Sequence, residues 1–405
     1  MKRIAILLLL LLSALIFGWM LGYLNIPLAI RSTSFWMGFA VALVFITLII
    51  LLINFIFSKD KRLLKMPNVL FILVLIALTI LLFFGNQSIK NLNESEREAQ
   101  NLKSQFSRKL DELKNSSAVQ QQQLFKVAFE RLQKEIKIGN GKLSENAIQS
   151  IVSFSASLKP YHLEHIDDSL LLSPERGLLL MGICQLEMDT NSFNTLIRKV
   201  DFSYADLRGV QFSDLNLEGI SLQKANFNDS KLMNVDFDNA QLEGTDFSFS
   251  EIKMCVFNRA DMGDVIFNWA TISNSDIRNA ELNAMNTSSA NFTNVNFSTS
   301  NLKWSQIHET YIEHCNFDST DLMSANFVES ILQSSTFNHC RLRKSSWKNT
   351  KISNSDMDFV AVEDNWFNDV DSSQINGIDH IKSTYKIVAD SSQLFQNDFY
   401  YLKQR

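Results

Sequence analysis

From Phe202 to Phe367 an apolar residue recurs at every fifth position, beginning Phe202, Leu207, Phe212, Leu217, Leu222 and Phe227. Among these 34 positions only Thr287 is polar, and no insertion shifts the register. Strands repeat every second residue and helices about every 3.6, so neither explains a period of five. Two residues before each centre the side chain is usually small, as at Ala205, Val210, Ala225, Ser230 and Ala240. In extended chain, residues two apart face the same side. The small residue and the bulky centre therefore point inward together, and the polar residues between them turn the chain. Repeated faces and turns wind a coil. Each coil stacks on the last at about 4.8 Å and satisfies its backbone groups there. Proline would delete a coil-to-coil donor, and none occurs in 200–370.

The aromatic residues indicate how many faces close a coil. Taken at every fourth centre from Leu207, they include Phe227, Phe247, Phe267, Phe327, Trp347 and Phe367. Taken likewise from Leu217, they include Phe237, Phe257, Phe297, Phe317 and Phe337. The two alternate columns are mostly Leu and Ile. Columns keep such identities only if an even number of faces makes a turn. Two faces leave no interior and six leave a hollow one, so four faces of five residues are expected. Aromatic stacks then line two opposite walls of a rod of eight and a half coils, roughly 40 Å long. Met285, at a usually small position, is expected to fill the space beside Thr287.

YADLRG (204–209), KANFND (224–229), SANFTN (289–294) and ANFVES (325–330) carry a small residue, Asp or Asn, Leu or Phe, then two polar residues. In this the sequence resembles the pentapeptide-repeat family from Phe202 to Phe367. The resemblance implies a right-handed quadrilateral β-helix. It implies little about activity, because most members have none assigned. Open coil edges need covers. The helices expected in 173–199 can cap the first coil. A helical tail, with Asp390 as N-cap and Leu394, Phe395, Phe399 and Leu402 along one stripe, can cap the last.

The N-terminal part is patterned differently. Ile4–Leu24, Phe35–Phe57 and Asn68–Phe84 are almost unbroken apolar runs. Each approaches or exceeds the roughly 20 residues that cross a bilayer, so three membrane-spanning helices are expected. The first is too long for a cleaved signal peptide and reads as a retained anchor. Lys59, Lys61, Arg62 and Lys65 mark the second loop, and Lys2 and Arg3 the N-terminus, as cytoplasmic. Everything after residue 85 then lies outside, although Lys90, Arg97 and Lys103 oppose that orientation. Residues 88–137 read as one amphipathic helix, with Leu92, Ala99, Leu102, Phe106, Leu110 and Leu113 on its stripe. This stripe fits either a coiled-coil stalk that oligomerises or a helix packed on its own chain, and Asn115-Ser116-Ser117 interrupts it. GNGK (139–142) is a loop and Glu145–Leu158 a helix. Ser173, Pro174 and Glu175 are the N-cap and first turn of another.

The expected organisation is thus a membrane anchor (1–85), a helical stalk (86–138), a small helical segment with an N-terminal cap (139–199), the β-helix (200–370) and a C-terminal cap (371–405). Charge changes along it. Residues 200–370 hold 24 acidic and 12 basic residues, whereas 1–199 hold 15 and 22. An acidic distal domain argues against nucleic acid as its partner.

Candidate chemistry is sparse. The four cysteines, Cys184, Cys255, Cys315 and Cys340, are too scattered for a disulfide framework. EHCNF (313–317) and NHCRL (338–342) could hold a metal only if His314, Cys315, His339 and Cys340 converged. The repeat points both cysteines inward and both histidines away. YHLEH (161–165) lacks further ligands nearby. No nucleotide, hydrolase or protease signature occurs. No catalytic, cofactor-binding or metal-binding residue is expected, and the regular Asp/Asn positions belong to the repeat. The reading favoured is a bacterial inner-membrane, multi-pass protein with no enzymatic activity and no cofactor. Its β-helix presents a binding or scaffolding surface to a protein partner, with self-association through the stalk or membrane helices. The alternatives are a membrane sensor or pore-forming effector, and an acidic mimic of DNA acting on a topoisomerase.

Overall fold

The computed structural model describes residues 96–110, 119–163, 171–372, 375–389 and 400–405. The three expected membrane spans lie outside the described residues, as does the 115–117 interruption. Among the described residues no helix is long and apolar enough to cross a membrane. Glu98–Arg405 forms one compact unit.

Its centre is a β-solenoid. Eight three-residue strands, β3 (Gln211–Ser213) through β10 (Lys351–Ser353), form one parallel sheet in sequence order. Each strand pairs with the next, as in Phe212 with Leu232 and Ile252 with Ile272. The other three faces of each coil make single parallel bridges at the same offset, such as Asp201 with Ser221, Asp206 with Asn226 and Asn216 with Asp236. Four five-residue faces therefore close one coil. Eight strands are separated by seven steps, about 34 Å at the usual strand spacing.

Backbone bonding accounts for the period. The centre's N–H donates to the next coil, as Phe227 does to the Asp246 carbonyl at 2.7 Å. On the singly bridged faces the centre's carbonyl commonly accepts from the small residue three places on, as Phe227 does from Ser230 at 3.1 Å, which closes a β-turn; on the strand-bearing face the small residue's N–H turns elsewhere, as that of Cys255 does to the Ser275 hydroxyl at 3.1 Å. The third residue of the turn is left-handed. From Tyr204 to Phe359 every fifth residue has φ between 49° and 72°, and only Gly209, Gly219 and Gly244 among them are glycine. A positive φ at this place is what a type II turn requires.

The interior holds the aromatic walls. Phe227, Phe247 and Phe267 stack at 5.0 and 5.3 Å, and Phe297, Phe317 and Phe337 at 4.9 and 4.8 Å. The walls meet edge-on across the interior, Phe227 with Phe237 at 6.3 Å and Phe247 with Phe257 at 6.2 Å. Thr287 is fully buried in the gap of the first wall. Its hydroxyl lies 3.0 Å from that of Thr310, whose own hydroxyl donates to the Thr287 carbonyl at 2.6 Å. A satisfied hydroxyl pair thus accompanies the break in the pattern, with Met285 also buried.

The first coil is covered by helix Pro174–Gln185, followed by helix Thr190–Lys199. Ser173 caps the former, accepting from the Arg176 N–H, and Pro174 opens it. The Ser173 N–H donates to the Tyr204 carbonyl at 2.7 Å, and the Asp206 N–H returns a bond to the Ser173 carbonyl at 3.2 Å. Arg176 reaches the Ser155 and Ser203 carbonyls and pairs with Asp201 at 2.9 Å. Helix Glu145–Ser157, capped by Ser144, packs beside them, and strands β1 (Tyr161–His162) and β2 (Leu171–Leu172) pair antiparallel.

The packing resolves one alternative left open by the sequence, and two expectations need correction. The apolar stripe of the expected stalk packs within the chain: Leu102 is buried, and Phe106 meets Phe129 of helix Val119–Ile138 at 5.6 Å. Asn101 and Lys109, in the helical stretch 96–110, reach Gln211 and Asp206 of the solenoid. That seam is therefore occupied by the chain's own core and is not free to form a coiled coil there. Of the two corrections, the first is that Phe367 is not on a coil. Regular winding ends at β11 (Ala361–Val362), and helix Trp366–Ser372 follows. Second, the described part of the tail includes strands as well as helix Ile378–Thr384. β12 (Tyr385–Ala389) and β13 (Tyr400–Gln404) pair antiparallel, and β13 also pairs with β11. An open strand edge is satisfied directly by another strand, and YKIVA and YYLKQ carry the β-branched and aromatic residues that suit one. Leu402 is buried there. Asp390, Leu394, Phe395 and Phe399 lie outside the described residues.

Candidate binding surface

Each face sends three residues outward: the one before the centre, the one after it, and the corner. The first is Asp or Asn at about half the faces, and there its work is local. Its side-chain oxygen accepts the N–H of the residue after the centre, at 2.8 Å for Asn226 and Asn228, 2.9 Å for Asp236 and Asp238, and 2.8 Å for Asn316 and Asp318. This Asx bond holds the turn. The regular carboxylates and amides are accordingly structural.

The corners are where the surface varies. Equivalent corners lie one coil apart with the same backbone conformation, so their side chains leave in parallel and touch. Phe249 stacks on Trp269 at 5.1 Å and 6°, and His339 on Phe359 at 5.3 Å and 8°. The Lys224 ammonium sits 5.6 Å over the Tyr204 ring. Asn294 donates to Asn274 at 2.7 Å, and Ser289 to Glu309 at 2.9 Å. Phe249, Trp269 and Trp304 stand on corners, each more than half exposed.

Many acidic groups on the rod have a basic partner in place. Asp206 pairs with Arg208 at 2.7 Å, Asp276 with Arg278 at 2.6 Å, and Asp321 with both Lys303 and Arg341 at 2.9 and 3.0 Å. Glu309 and Glu329 instead face His308, at 3.9 and 4.0 Å. Among the described residues these three are the one group of potential metal ligands whose donor atoms converge. One imidazole and two exposed carboxylates fall short of a closed four-ligand site.

The two HC pairs do not come together. Cys315 and Cys340 are buried, and their thiols donate to the Phe292 and Phe317 carbonyls at 3.5 and 2.7 Å. Burial pushes the Cys315 thiol up to about 12 and raises that of Cys340 as well, so neither supplies a thiolate. His314 and His339 are corners. Within YHLEH, His162 is exposed on β1, and Glu164 and His165 lie outside the described residues. The exposed corner aromatics were not anticipated from the sequence. Their signal was a bulky residue two places after a centre, where the pattern otherwise asks for a polar one.

Residues 193–267 match the family model of the pentapeptide repeat region. Among solved structures, a stretch of the chain is similar to HetL, a pentapeptide repeat protein involved in heterocyst differentiation regulation in the cyanobacterium Nostoc, at 14% identity. That match covers 40% of this chain and 79% of HetL, with a TM-score of 0.35. A trypsin-treated form of QnrB1, a plasmid-mediated fluoroquinolone resistance protein, matches at 19% identity, covering 42% of this chain and 99% of that one, with a TM-score of 0.21. A pentapeptide repeat protein of the Arabidopsis thaliana thylakoid lumen matches at 17% identity over 36% and 79%, with a TM-score of 0.14. No match was found among curated protein sequences.

Proposed function

We propose that this member of the pentapeptide-repeat family acts by binding, its β-solenoid holding a fixed array of corner side chains toward a protein partner at a cell membrane. The observation that carries the reading is the uniform corner. Every fifth residue from Tyr204 to Phe359 shares one left-handed range of φ, and what stands there ranges from Gly209 to Trp269 to Glu309. Backbone geometry is held constant while surface chemistry varies, which is what a recognition surface needs. Rigid corners also lose little freedom on binding, which lowers the entropic cost of association.

The membrane part of the proposal rests on the sequence. Three apolar runs within 1–85, with Lys59, Lys61, Arg62 and Lys65 between the second and third, would anchor the chain in a bacterial inner membrane with the solenoid outside. C-terminal fusions test it. An alkaline phosphatase fusion should be active and a fluorescent-protein fusion dark. The opposite pair would place the solenoid in the cytoplasm and favour the topoisomerase reading. Photo-crosslinkers set at corners around the rod in living cells test the binding reading. A specific adduct should form at some corners and not at others, and its absence at every corner would refute the surface.

A further inference from the structure

The corner column Phe249, Trp269, Ser289, Glu309, Glu329 runs up one edge of the solenoid at one residue per coil. Its two ends differ in chemistry. Phe249 and Trp269 are stacked, so the second face of the Trp269 indole looks toward the next coil. The residue there is Ser289, too short to cover it. One coil further, Glu309 leans back, accepting from the Ser289 hydroxyl at 2.9 Å. An indole face and a carboxylate thus border one shelf whose floor is a serine. The backbones of the two bordering corners are two coil steps apart, about 10 Å, and the carboxylate reaches back to the intermediate coil, so a planar group laid on the indole would meet it at its edge.

The rod shows what fits beside such a ring. At Tyr204 and Lys224, also corners one coil apart, a cation sits 5.6 Å over an aromatic face. At Lys403 and Phe359 another does so at 5.9 Å. The column at Ser289 has the aromatic face in the same relation but, among the described residues, no cation above it. It also has carboxylates that lack one: among the described residues Glu309 and Glu329 are paired with no lysine or arginine, only with His308. An ammonium would satisfy the charge. A guanidinium would satisfy the charge and the planar slot together, stacking on the indole and presenting paired N–H donors to the carboxylate.

We infer that the shelf over Ser289, between Trp269 and Glu309, receives an arginine side chain of the partner protein. This rests on the binding reading above and adds to it a location and a residue type.

The test uses the full chain in detergent, carrying fluorinated tryptophan, with the Trp269 resonance assigned by its loss in Trp269→Phe. Three capped pentapeptides, Gly-Gly-X-Gly-Gly with X as arginine, lysine or citrulline, are the probes. The arginine peptide should shift the Trp269 resonance saturably. Lysine should bind at least about 5-fold more weakly, since it lacks the planar fork, and citrulline should not bind. Glu309→Gln should weaken the arginine peptide, whereas Glu243→Gln, elsewhere on the rod, should not. Ser289→Arg should fill the shelf from within, displace the Trp269 resonance without peptide and abolish the response. Equal response to arginine and lysine, or one untouched by Ser289→Arg, would overturn the slot as mere attraction to an acidic rod. The two readings fail separately. Crosslinks in cells at other corners but not beside Ser289 would sink the slot and leave the binding surface. A partner peptide crosslinked beside Ser289 and containing arginine at the contact would support both.

Discussion

Gly177 stands where two physical tendencies oppose each other, so its replacement by alanine has a sign worth predicting. It lies inside helix Pro174–Gln185, where alanine is favoured over glycine by about 1 kcal/mol. Yet a Cβ there would stand 2.2 Å from the Asp206 carbonyl oxygen and 3.0 Å from its carbon, both backbone atoms of the first coil. Relief requires the helix to lift by about an ångström, and overpacking of this kind costs about 1–3 kcal/mol. Lifting also stretches the bonds between Ser173 and Tyr204 and between Asp206 and Ser173, each worth about 1 kcal/mol. The net expectation for Gly177→Ala is a loss of about 2 kcal/mol, confined to the N-terminal cap. Because stacked coils contact only their neighbours, a global melting curve would blur this, and native-state hydrogen exchange resolves it. The Asp206 amide should exchange roughly 30-fold faster, the equivalent of about 2 kcal/mol. The Phe317 amide, bonded to Thr336 far along the rod, should not change. Gly209→Ala is the control, since a Cβ there meets nothing within 4 Å and only its φ of 65° is strained. Unchanged or greater Asp206 protection in Gly177→Ala would refute the packing argument in favour of helix propensity.

Phe317 is buried and stacked on both sides, so Phe317→Ala should cost about 3–5 kcal/mol in denaturant unfolding; a loss under about 1 kcal/mol would refute the filled wall. Asp236→Ala removes the acceptor for the Asp238 N–H and should cost about 1 kcal/mol, whereas Asp236→Asn keeps the amide oxygen and should cost little; equal losses would assign the effect to charge. Burial raises the Glu175 carboxyl above its ordinary value, against hydrogen bonds from Tyr161 and Ser173. An acid raised in the folded state stabilises while protonated and loses that contribution as pH climbs from its unfolded value through its folded one. Glu175→Gln should therefore match the parent near pH 4 and be at least as stable at pH 7. A variant less stable at pH 7 than at pH 4, relative to the parent, would contradict this.

The coil was legible because one rule repeats. A buried centre at every fifth position, with aromatics segregated at every fourth centre, left four faces as the choice consistent with a filled interior. The observed register of Phe212 with Leu232 has that offset. The N-terminal cap was legible for a different reason: Ser173, Pro174 and Glu175 are local start signals that need no tertiary context. The stripe of Leu394, Phe395, Phe399 and Leu402 suits a helix by spacing, but Leu402, which alone of these falls among the described residues, stands on a strand. β13 is held by an edge, β11, that exists only after the rod has wound, and β12 pairs with β13 in turn. The stripe of Leu102 and Phe106 did not reveal what would cover it, since Phe129 lies beyond an intervening segment. The candidate surface was the least legible. Five-residue periodicity specifies which residues point outward but treats Trp269 and Ser289 alike, and only coil stacking makes neighbours of such distant positions.

The coil's constancy has a consequence for length. Each full coil returns the chain to the same bearing, so tiers are interchangeable in phase. Excising 271–290 would bring Asn291 against Glu251, where Thr271 now sits, and leave both end covers facing as before. Excising a single face would instead swing everything beyond the cut by a quarter turn and bring mismatched columns into line. The solenoid is in this sense a graduated spacer, adjustable in whole tiers of about 4.8 Å and in no smaller unit.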